Sequence, residues 1–183
     1  ITIVIFELIY IYKLRFSDYF ATKKGKNNLE PYVPTPYYIL FLIKKKIKNI
    51  IKDSIFIEFG CGKGRVISYF ENEEFSKIIG IEINSNLQKY LNFKSKKIKI
   101  FIDDCRNINF LNEIQKLTLN KTLVLYFYHP FSITDINFII KYFLSNNNKI
   151  ILVIVGKLEI NKKFYSKLVK NFSNNMLQIY LSK

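Results

Sequence analysis

Several residue types are scarce in this 183-residue chain, and their scarcity excludes some classes of protein. The chain has no tryptophan, one histidine and two cysteines, Cys61 and Cys105, which are far apart in the sequence. These residues supply neither a disulfide framework nor the Cys/His ligand set of a zinc site. We therefore predict no metal site and a reducing, cytoplasmic environment. No apolar run reaches the roughly 20 residues that a membrane-spanning helix needs.

Arginine is also scarce, although the net charge is +15. The chain has only Arg15, Arg65 and Arg106, so nearly all of its positive charge comes from lysine. Isoleucine, asparagine, phenylalanine and tyrosine are abundant too, which is typical of A/T-rich codon usage. Because proteins favour arginine for recognising phosphates and bases, the charge favours a solvated lysine surface over a nucleic-acid site. A charge of this size still attracts acidic partners at low salt.

The first twelve residues are strongly apolar, interrupted by Glu7. They lack the basic start and small-residue cleavage site of a signal peptide. We predict a helix and leave three interpretations open: it packs on its own domain, it contacts a membrane through residues 1–16, or it is the remnant of an anchor. Residues 17–30 are polar and predict a linker, so we divide the chain into residues 1–30 and a domain at 31–183. The sequence does not begin with methionine, which leaves open whether it is part of a longer chain.

Helical and strand patterns alternate from residue 36 onward. Thr35 followed by Pro36 marks the start of a predicted helix. Helices are predicted at 36–51, 65–74, 85–94, 107–117, 134–145 and 161–172, and strands at 54–59, 77–82, 97–102, 122–128, 150–155 and 176–181. The strands are nearly continuous apolar runs, as in sheets covered on both faces. This order predicts an α/β fold: a Rossmann-like, doubly wound, mainly parallel sheet with helices on both faces and a helical N-terminal extension. We expect its last hairpin to be short or incomplete.

The most distinctive motif spans residues 55–70 and reads I-F-I-E-F-G-C-G-K-G-R-V-I-S-Y-F. An apolar strand reaches an acid, a turn with alternating glycines follows, and a helical segment begins. This arrangement can hold a nucleotide-like ligand against backbone N–H groups. A phosphate-binding P-loop is excluded because Ile57 takes the place of its first glycine. A dinucleotide fingerprint is excluded because Arg65 takes the place of its last small residue. The pattern that fits is acid-x-Gly-x-Gly-x-Gly.

That pattern resembles the cofactor loop of class I S-adenosylmethionine-dependent methyltransferases, and the resemblance extends from about Tyr32 to the C-terminus. It implies that S-adenosylmethionine is the cofactor. It also implies that Glu58 helps to organise the methionine ammonium group. By the same resemblance, the loop brings its backbone close to the methionine portion, since a glycine has no Cβ to clash with the ligand; the loop residues concerned are Gly60, Cys61, Gly62 and Gly64.

Acidic residues also follow the next two predicted strands. Glu82 lies 22 positions after Gly60, and the resemblance implies that it accepts hydrogen bonds from both ribose hydroxyls. Asp103 and Asp104 follow the third strand. The resemblance assigns Asp104 to the adenine amino group and the backbone of Cys105 to the adenine ring, with Asp103 as the reserve candidate.

The residues after the fourth strand predict the acceptor side of the site. Many methyltransferases that act on amines carry Asn/Asp-Pro-Pro-Tyr/Phe there, whereas this chain has His129, Pro130 and Phe131, which is a partial match. We predict that these three residues form the catalytic acceptor pocket. His129 is then either a general base for an acceptor that must lose a proton, or a structural histidine.

The segment P-Y-V-P-T-P-Y-Y at 31–38 is similar to one in bacterial methyltransferases of unassigned substrate. It is more weakly similar to mitochondrial lysine methyltransferases that modify the ATP-synthase c-subunit and the adenine nucleotide translocase, although these usually have Asp and Ser in place of Glu58 and Cys61. The resemblance implies that Tyr32 and Thr35 line the cofactor or acceptor site; the alternative is a rigid lid onto the first helix. We predict a methyltransferase that acts on a protein lysine or another amine. An RNA or DNA methyltransferase and a non-catalytic nucleoside-binding module remain alternatives.

Overall fold

The computed structural model describes Glu7 and residues 31–128, 131–146, 148–156, 168–174 and 176–182. Its helices are α1 (Tyr37–Ile47), α2 (Arg65–Phe70), α3 (Ile108–Thr118) and α4 (Ile133–Ser145), with 3₁₀ helices at Lys48–Ile50 and Ser85–Tyr90. Its strands are β1 (Ile55–Phe59), β2 (Lys77–Glu82), β3 (Ile98–Ile102), β4 (Thr122–Tyr128), β5 (Lys149–Val155), β6 (Leu168–Ser173) and β7 (Leu177–Ser182).

The strands form one seven-stranded sheet in the order β3-β2-β1-β4-β5-β7-β6. Strands β1 to β5 pair in parallel, and the pairs β5–β7 and β7–β6 are antiparallel. The strand order reverses between β1 and β4, and sheets of this kind bind ligands outside the carboxyl ends of the strands at that point. The predicted Rossmann-like fold with a mainly parallel sheet is confirmed.

Each face of the sheet has its own hydrophobic core because successive side chains of a strand point to opposite faces. On one face, Phe56, Ile78 and Val124 pack with side chains of α1 and α2. On the other face, Ile57, Ile79 and Leu125 pack with side chains of α3 and α4. All five residues of β1 are buried. The continuous apolar runs of the sequence therefore correspond to strands covered on both faces.

Three predicted helices differ from the structure. The helix expected at 65–74 ends at Phe70, and the one expected at 85–94 is a 3₁₀ helix that ends at Tyr90. The predicted helix at 161–172 is wrong over 168–172, which belongs to β6, while 161–167 lie outside the described residues. The expected short final hairpin is wrong as well, since β6 and β7 each have six residues and pair along their length. At 168–172, pairing with β7 thus overrides the local helical pattern.

Most of the predicted N-terminal extension lies outside the described residues. Glu7 is described and is helical. The expected polar linker and the membrane contact expected for residues 1–16 stay predictions. Over the ranges that the structure describes, no helix has both the length and the hydropathy to cross a membrane.

Candidate functional site

A cavity of about 290 Å³ opens at the carboxyl ends of β1 to β4, where the strand order reverses. Its walls are the turns that follow these strands and the segment 31–36, which precedes α1 and which we call the strap. Ten of the predicted site residues line it: Tyr32, Thr35, Glu58, Gly60, Cys61, Gly62, Glu82, Asp104, Cys105 and Phe131. Residues widely separated in the sequence therefore meet at one place, as expected for the ends of parallel strands.

The glycine turn after β1 is held against β2. The N–H groups of Gly60 and Cys61 both donate to the carbonyl of Ile81, at 2.8 and 2.9 Å. Gly62 has a φ of +55°, and a Cβ at this position would collide with the ring of Tyr32. Glycine is therefore needed at Gly62 both for its backbone conformation and for the contact with the strap. Gly64 is the N-cap of α2, packs near Phe93 and is absent from the cavity wall.

Glu58 is a buried carboxylate at the end of β1. Its residue is 4% exposed, and Oε2 has no hydrogen-bond partner among the described residues. Burial raises the pKa of Glu58 well above its usual value, and the nearby Glu82 carboxylate raises it further. A buried polar atom without a partner costs free energy. The cavity wall thus contains a carboxylate oxygen suited to a hydrogen-bond donor or a cation.

Glu82, at the end of β2, has partners for both of its carboxylate oxygens. Oε2 accepts from the Gly62 N–H at 2.7 Å, and Oε1 accepts from the Asn84 N–H at 2.8 Å. Burial raises its pKa, while these backbone N–H groups lower it. Since a carboxylate oxygen can accept more than one hydrogen bond, Glu82 retains capacity for hydroxyl groups of a ligand.

The turn after β3 places two carboxylates and a thiol at the cavity. Arg106 donates to Asp104 through Nε, 2.9 Å from Oδ1, and through Nη2, 2.7 Å from Oδ2. These bonds lower the pKa of Asp104, which stays ionised. Asp103 Oδ1 accepts from the Asp104 N–H at 2.7 Å. Burial raises the pKa of Cys105 to about 12, so its thiol stays protonated and is a poor nucleophile.

Part of the predicted acceptor side can be described. Phe131 lines the cavity, and its ring packs edge-on against Phe127 with centroids 5.5 Å apart. A Cβ on Gly60 would lie 3.1 Å from the Phe131 ring, so this ring borders the glycine turn. His129 and Pro130 lie outside the described residues, and their roles stay predictions.

Sequence reasoning did not predict several residues of the cavity wall. Asp135 lines it, and the only signal for this residue was the Ser-x-x-Asp capping box that Ser132 forms at the start of α4. Arg65 also lines it, although the sequence analysis did not assign it to the site and noted it as a mismatch to the dinucleotide fingerprint. Their positions depend on packing between segments distant in sequence.

Acidic residues are concentrated at the cavity, in contrast to the basic chain as a whole. Among the described residues, five acidic side chains line it, and the basic side chains that do so are Arg65 and Arg106. Such a lining favours cationic groups of a ligand. Within the described ranges, no group of three or more His, Cys, Asp or Glu residues is arranged to hold a metal ion.

No family model and no curated protein matches the chain in sequence. Solved structures do match it. A SAM-dependent methyltransferase from Anabaena variabilis has 8% identity and a TM-score of 0.59 over 79% of this chain and 84% of its own. The N-methyltransferase NodS from Bradyrhizobium japonicum has 9% identity and a TM-score of 0.55, over 80% and 95%. An rRNA methylase from Streptococcus thermophilus has 11% identity and a TM-score of 0.51, over 83% and 98%. At such identities the likeness establishes the fold alone, and that fold is the one of class I methyltransferases.

Proposed function

We propose that the chain is an S-adenosylmethionine-dependent methyltransferase that acts on an amine, and that the cavity binds the cofactor. The observation that carries this proposal is Glu58, a buried carboxylate in the cavity wall with an oxygen that lacks a partner among the described residues. S-adenosylmethionine carries an ammonium and a sulfonium group, and a cationic group would offset the cost of burying this carboxylate. The fold and the position of the cavity at the reversal of strand order support the same proposal.

The other residues of the wall fit the remaining parts of the cofactor. Glu82 retains lone pairs for the ribose hydroxyls, and Asp104 lies at the end of β3 for the adenine amino group, with Asp103 as the reserve. The backbone of Cys105 would approach the adenine ring. The methionine portion would lie against the main chain of Gly60, Cys61 and Gly62. Gly64 ends this turn as the N-cap of α2, outside the cavity wall. In the strap, Tyr32 and Thr35 would complete the wall.

When bound, S-adenosylmethionine supplies a methyl group on a good leaving group, so the protein contributes mainly alignment. An amine attacks only through its neutral form, since an ammonium has no lone pair. Asp135, which lines the cavity at the start of α4, favours the approach of a cationic acceptor. His129 is our candidate for removing its proton, and Pro130 and Phe131 would shape the acceptor pocket.

A protein lysine is the amine we favour, on the similarity of the strap segment to that of lysine methyltransferases. RNA is a second candidate acceptor, favoured by the net charge of +15 and by the likeness in fold to an rRNA methylase. A salt series of RNA binding separates the two, since contacts with several phosphates give a steep fall in affinity with salt. We expect a shallow slope, and a steep one favours RNA.

Calorimetric titration with S-adenosylmethionine and with its demethylated product, S-adenosylhomocysteine, tests the cofactor. We expect saturable binding that Glu82→Gln weakens at least roughly tenfold, because one ribose contact and the bond to Gly62 are impaired. Glu113→Gln, at an exposed glutamate on α3, is the matched control and should bind like the wild type. An absence of binding to the wild-type protein contradicts the proposal.

Transfer of an isotopically labelled methyl group into a cell lysate tests the acceptor. After separation into protein, nucleic acid and small molecules, we expect the label in protein, on lysine. Label in RNA instead overturns the lysine assignment. Cofactor binding without transfer to any fraction favours the third possibility, a nucleoside-binding module without catalysis.

A further inference from the structure

Four polar side chains from distant parts of the chain meet behind the strap. They are Glu7, Thr35, Arg65 and Tyr126, and we call them the polar clamp. Thr35, Arg65 and Tyr126 are 3%, 3% and 0% exposed. Thr35 and Arg65 line the cavity, whereas Tyr126 lies in the middle of the sheet, on β4.

Thr35 forms hydrogen bonds to the rest of the domain through its hydroxyl and through its carbonyl. Its hydroxyl Oγ1 lies 2.8 Å from the hydroxyl of Tyr126, in a buried hydrogen bond that either group can donate. Its carbonyl accepts from Nη1 of Arg65 at 3.1 Å. The guanidinium of Arg65 lies over the ring of Tyr37, 4.5 Å from its centroid. The strap is thus fixed on one side to β4 and on the other to the start of α2.

Glu7 adds a contact from the N-terminal segment. Its Oε1 accepts from the N–H of Tyr38 at 3.1 Å, and its Oε2 lies 3.9 Å from Nη1 of Arg65. The N–H of Tyr38 is one of the first in α1, which have no partner within the helix and favour a negative charge. Glu7 therefore connects the start of α1 to the guanidinium that holds Thr35.

The Tyr126 side chain has two separable parts. Its ring packs in the core, 5.9 Å from the ring of Phe56. Its hydroxyl has Thr35 as its hydrogen-bond partner. A phenylalanine would fill almost the same volume, so packing alone does not require the hydroxyl. The strap that this hydroxyl holds also places the Tyr32 ring against Gly62 in the cavity wall.

We propose that Tyr126 is a positioning residue for the cofactor cavity: its hydroxyl fixes the strap through Thr35, and Glu7 supports the same strap through Arg65. The proposal rests on the proposed function, since it takes the cavity to be the site of S-adenosylmethionine. Tyr126 does not itself line the cavity, so its effect on the ligand passes through the strap.

A double-mutant cycle on Tyr126→Phe and Thr35→Val tests the proposal, with S-adenosylhomocysteine as the titrated ligand. We expect Tyr126→Phe to weaken binding roughly fivefold, the usual effect of one lost hydrogen bond. The double variant should bind about as well as the weaker single variant, because both changes remove the same bond. Tyr142→Phe is the matched control: its hydroxyl donates to Asn112 at 2.7 Å in an exposed bond between α4 and α3, away from the strap. It should bind like the wild type.

Amide hydrogen exchange without any ligand gives a second readout. In Tyr126→Phe, the amides of Tyr32, Val33 and Thr35 should exchange faster than in the wild type, while those of β1 and β4 keep their protection. Glu7→Gln retains an oxygen for the Tyr38 N–H and removes the charge opposite Arg65, so we expect the same pattern with a smaller change. Tyr142→Phe should leave the exchange of the strap unchanged.

The possible outcomes separate the two proposals. Equal affinity and equal strap exchange in Tyr126→Phe and the wild type overturn the positioning role. Faster exchange throughout the domain, with affinity lost in proportion to stability, also overturns it, because the hydroxyl then serves only the fold. If the wild type itself fails to bind S-adenosylhomocysteine, the proposed function fails, and the exchange data still decide whether the hydroxyl fixes the strap.

Discussion

Two side chains of β1 that point to the same face of the sheet have opposite surroundings. Phe56 lies near the start of the strand, is fully buried, and packs against the rings of Phe70 and Phe75 with centroids 5.1 and 5.2 Å away. Glu58, two positions later, is also buried, yet one of its carboxylate oxygens has no partner among the described residues. Two equally buried side chains can therefore contribute very differently to the stability of the fold. Phe56, near the start of the strand, stabilises the fold, whereas burying Glu58 near its carboxyl end costs free energy that a bound cation would offset.

Substitution of Phe56 should change the stability of the protein more than any other change considered below. Phe56→Ala removes a ring from the aromatic cluster and leaves a cavity, so the free energy of unfolding should fall by about 3–5 kcal/mol. Denaturant unfolding followed by circular dichroism measures the change. Phe138→Ala, at a partly exposed ring on α4, is the control and should cost much less. Similar losses in the two variants would contradict the assignment of Phe56 to the core.

Near the carboxyl end of β1, Glu58→Gln keeps the shape of the side chain and removes the group that ionises. We expect the ligand-free variant to be at least as stable as the wild type at a pH above the folded pKa of Glu58, since no charge then has to be buried. Binding of S-adenosylmethionine should weaken by about 1.5–3 kcal/mol, the range for a hydrogen bond to a charged group.

Calorimetry and denaturant unfolding of the same variant test both expectations for Glu58→Gln. Unchanged affinity would show that Glu58 does not contact the cationic part of the ligand. Lower stability of the variant at a pH above the folded pKa of Glu58 would show that the carboxylate already has a stabilising partner in the free protein.

The glycine turn and its acid could be predicted from the sequence because the pattern that indicates them is local. A strand that ends in an acid, a turn with alternating glycines and a helix are contiguous, so Glu58, Gly60 and Gly62 can be recognised together. Glu82 was predictable in the same way, as an acid that ends the next apolar run. The α/β order of elements was readable from runs of apolar residues, and the structure confirms it.

What the sequence did not predict depends on contacts between distant segments. The bond between Thr35 and Tyr126 joins residues 91 positions apart, and no local pattern indicates it. Strand β6 was predicted as a helix because its spacing suits one, and its pairing with β7 decides its conformation. In the turn between these two strands, the side chain of Asn174 accepts hydrogen bonds from the N–H groups of Met176 and Leu177.

The stability of the fold should depend on pH through Glu58, whereas Phe56 has no titratable group. Burial raises the pKa of Glu58 in the folded protein, and the carboxylate of Glu82 adds to the effect. The folded state therefore holds the proton more tightly than the unfolded state. The resulting stabilisation is complete below the unfolded pKa and is lost as the pH rises through the folded pKa. Between these two values, the wild type should lose stability relative to Glu58→Gln, as measured by denaturant unfolding over a pH series.

The raised pKa of Glu58 also predicts that the affinity for the ligand changes with pH in the direction opposite to the stability. The cationic cofactor needs the ionised carboxylate, so its affinity should increase as the pH rises through the folded pKa, and binding below that pKa should release a proton. Calorimetry in two buffers with different ionisation enthalpies measures that release. A release that persists unchanged in Glu58→Gln would assign the proton to another group, with Glu82 as the first candidate because burial also raises its pKa.

The smallest effect is expected at the exposed rim of the cavity, where Arg106 holds Asp104. The side chain of Arg106 is 56% exposed, and exposed ion pairs contribute only about 0–1 kcal/mol to stability. Arg106→Gln should therefore change the unfolding free energy by less than about 1 kcal/mol, and less still at high salt. It also frees the carboxylate of Asp104 from its bidentate partner, so cofactor affinity should stay the same or rise slightly. A clear loss of affinity would mean that Arg106 itself contacts the ligand or orients Asp104 for it. The exposed ion pair at the rim would then contribute to ligand binding as the buried Glu58 does, and the contrast between the two residues would not hold.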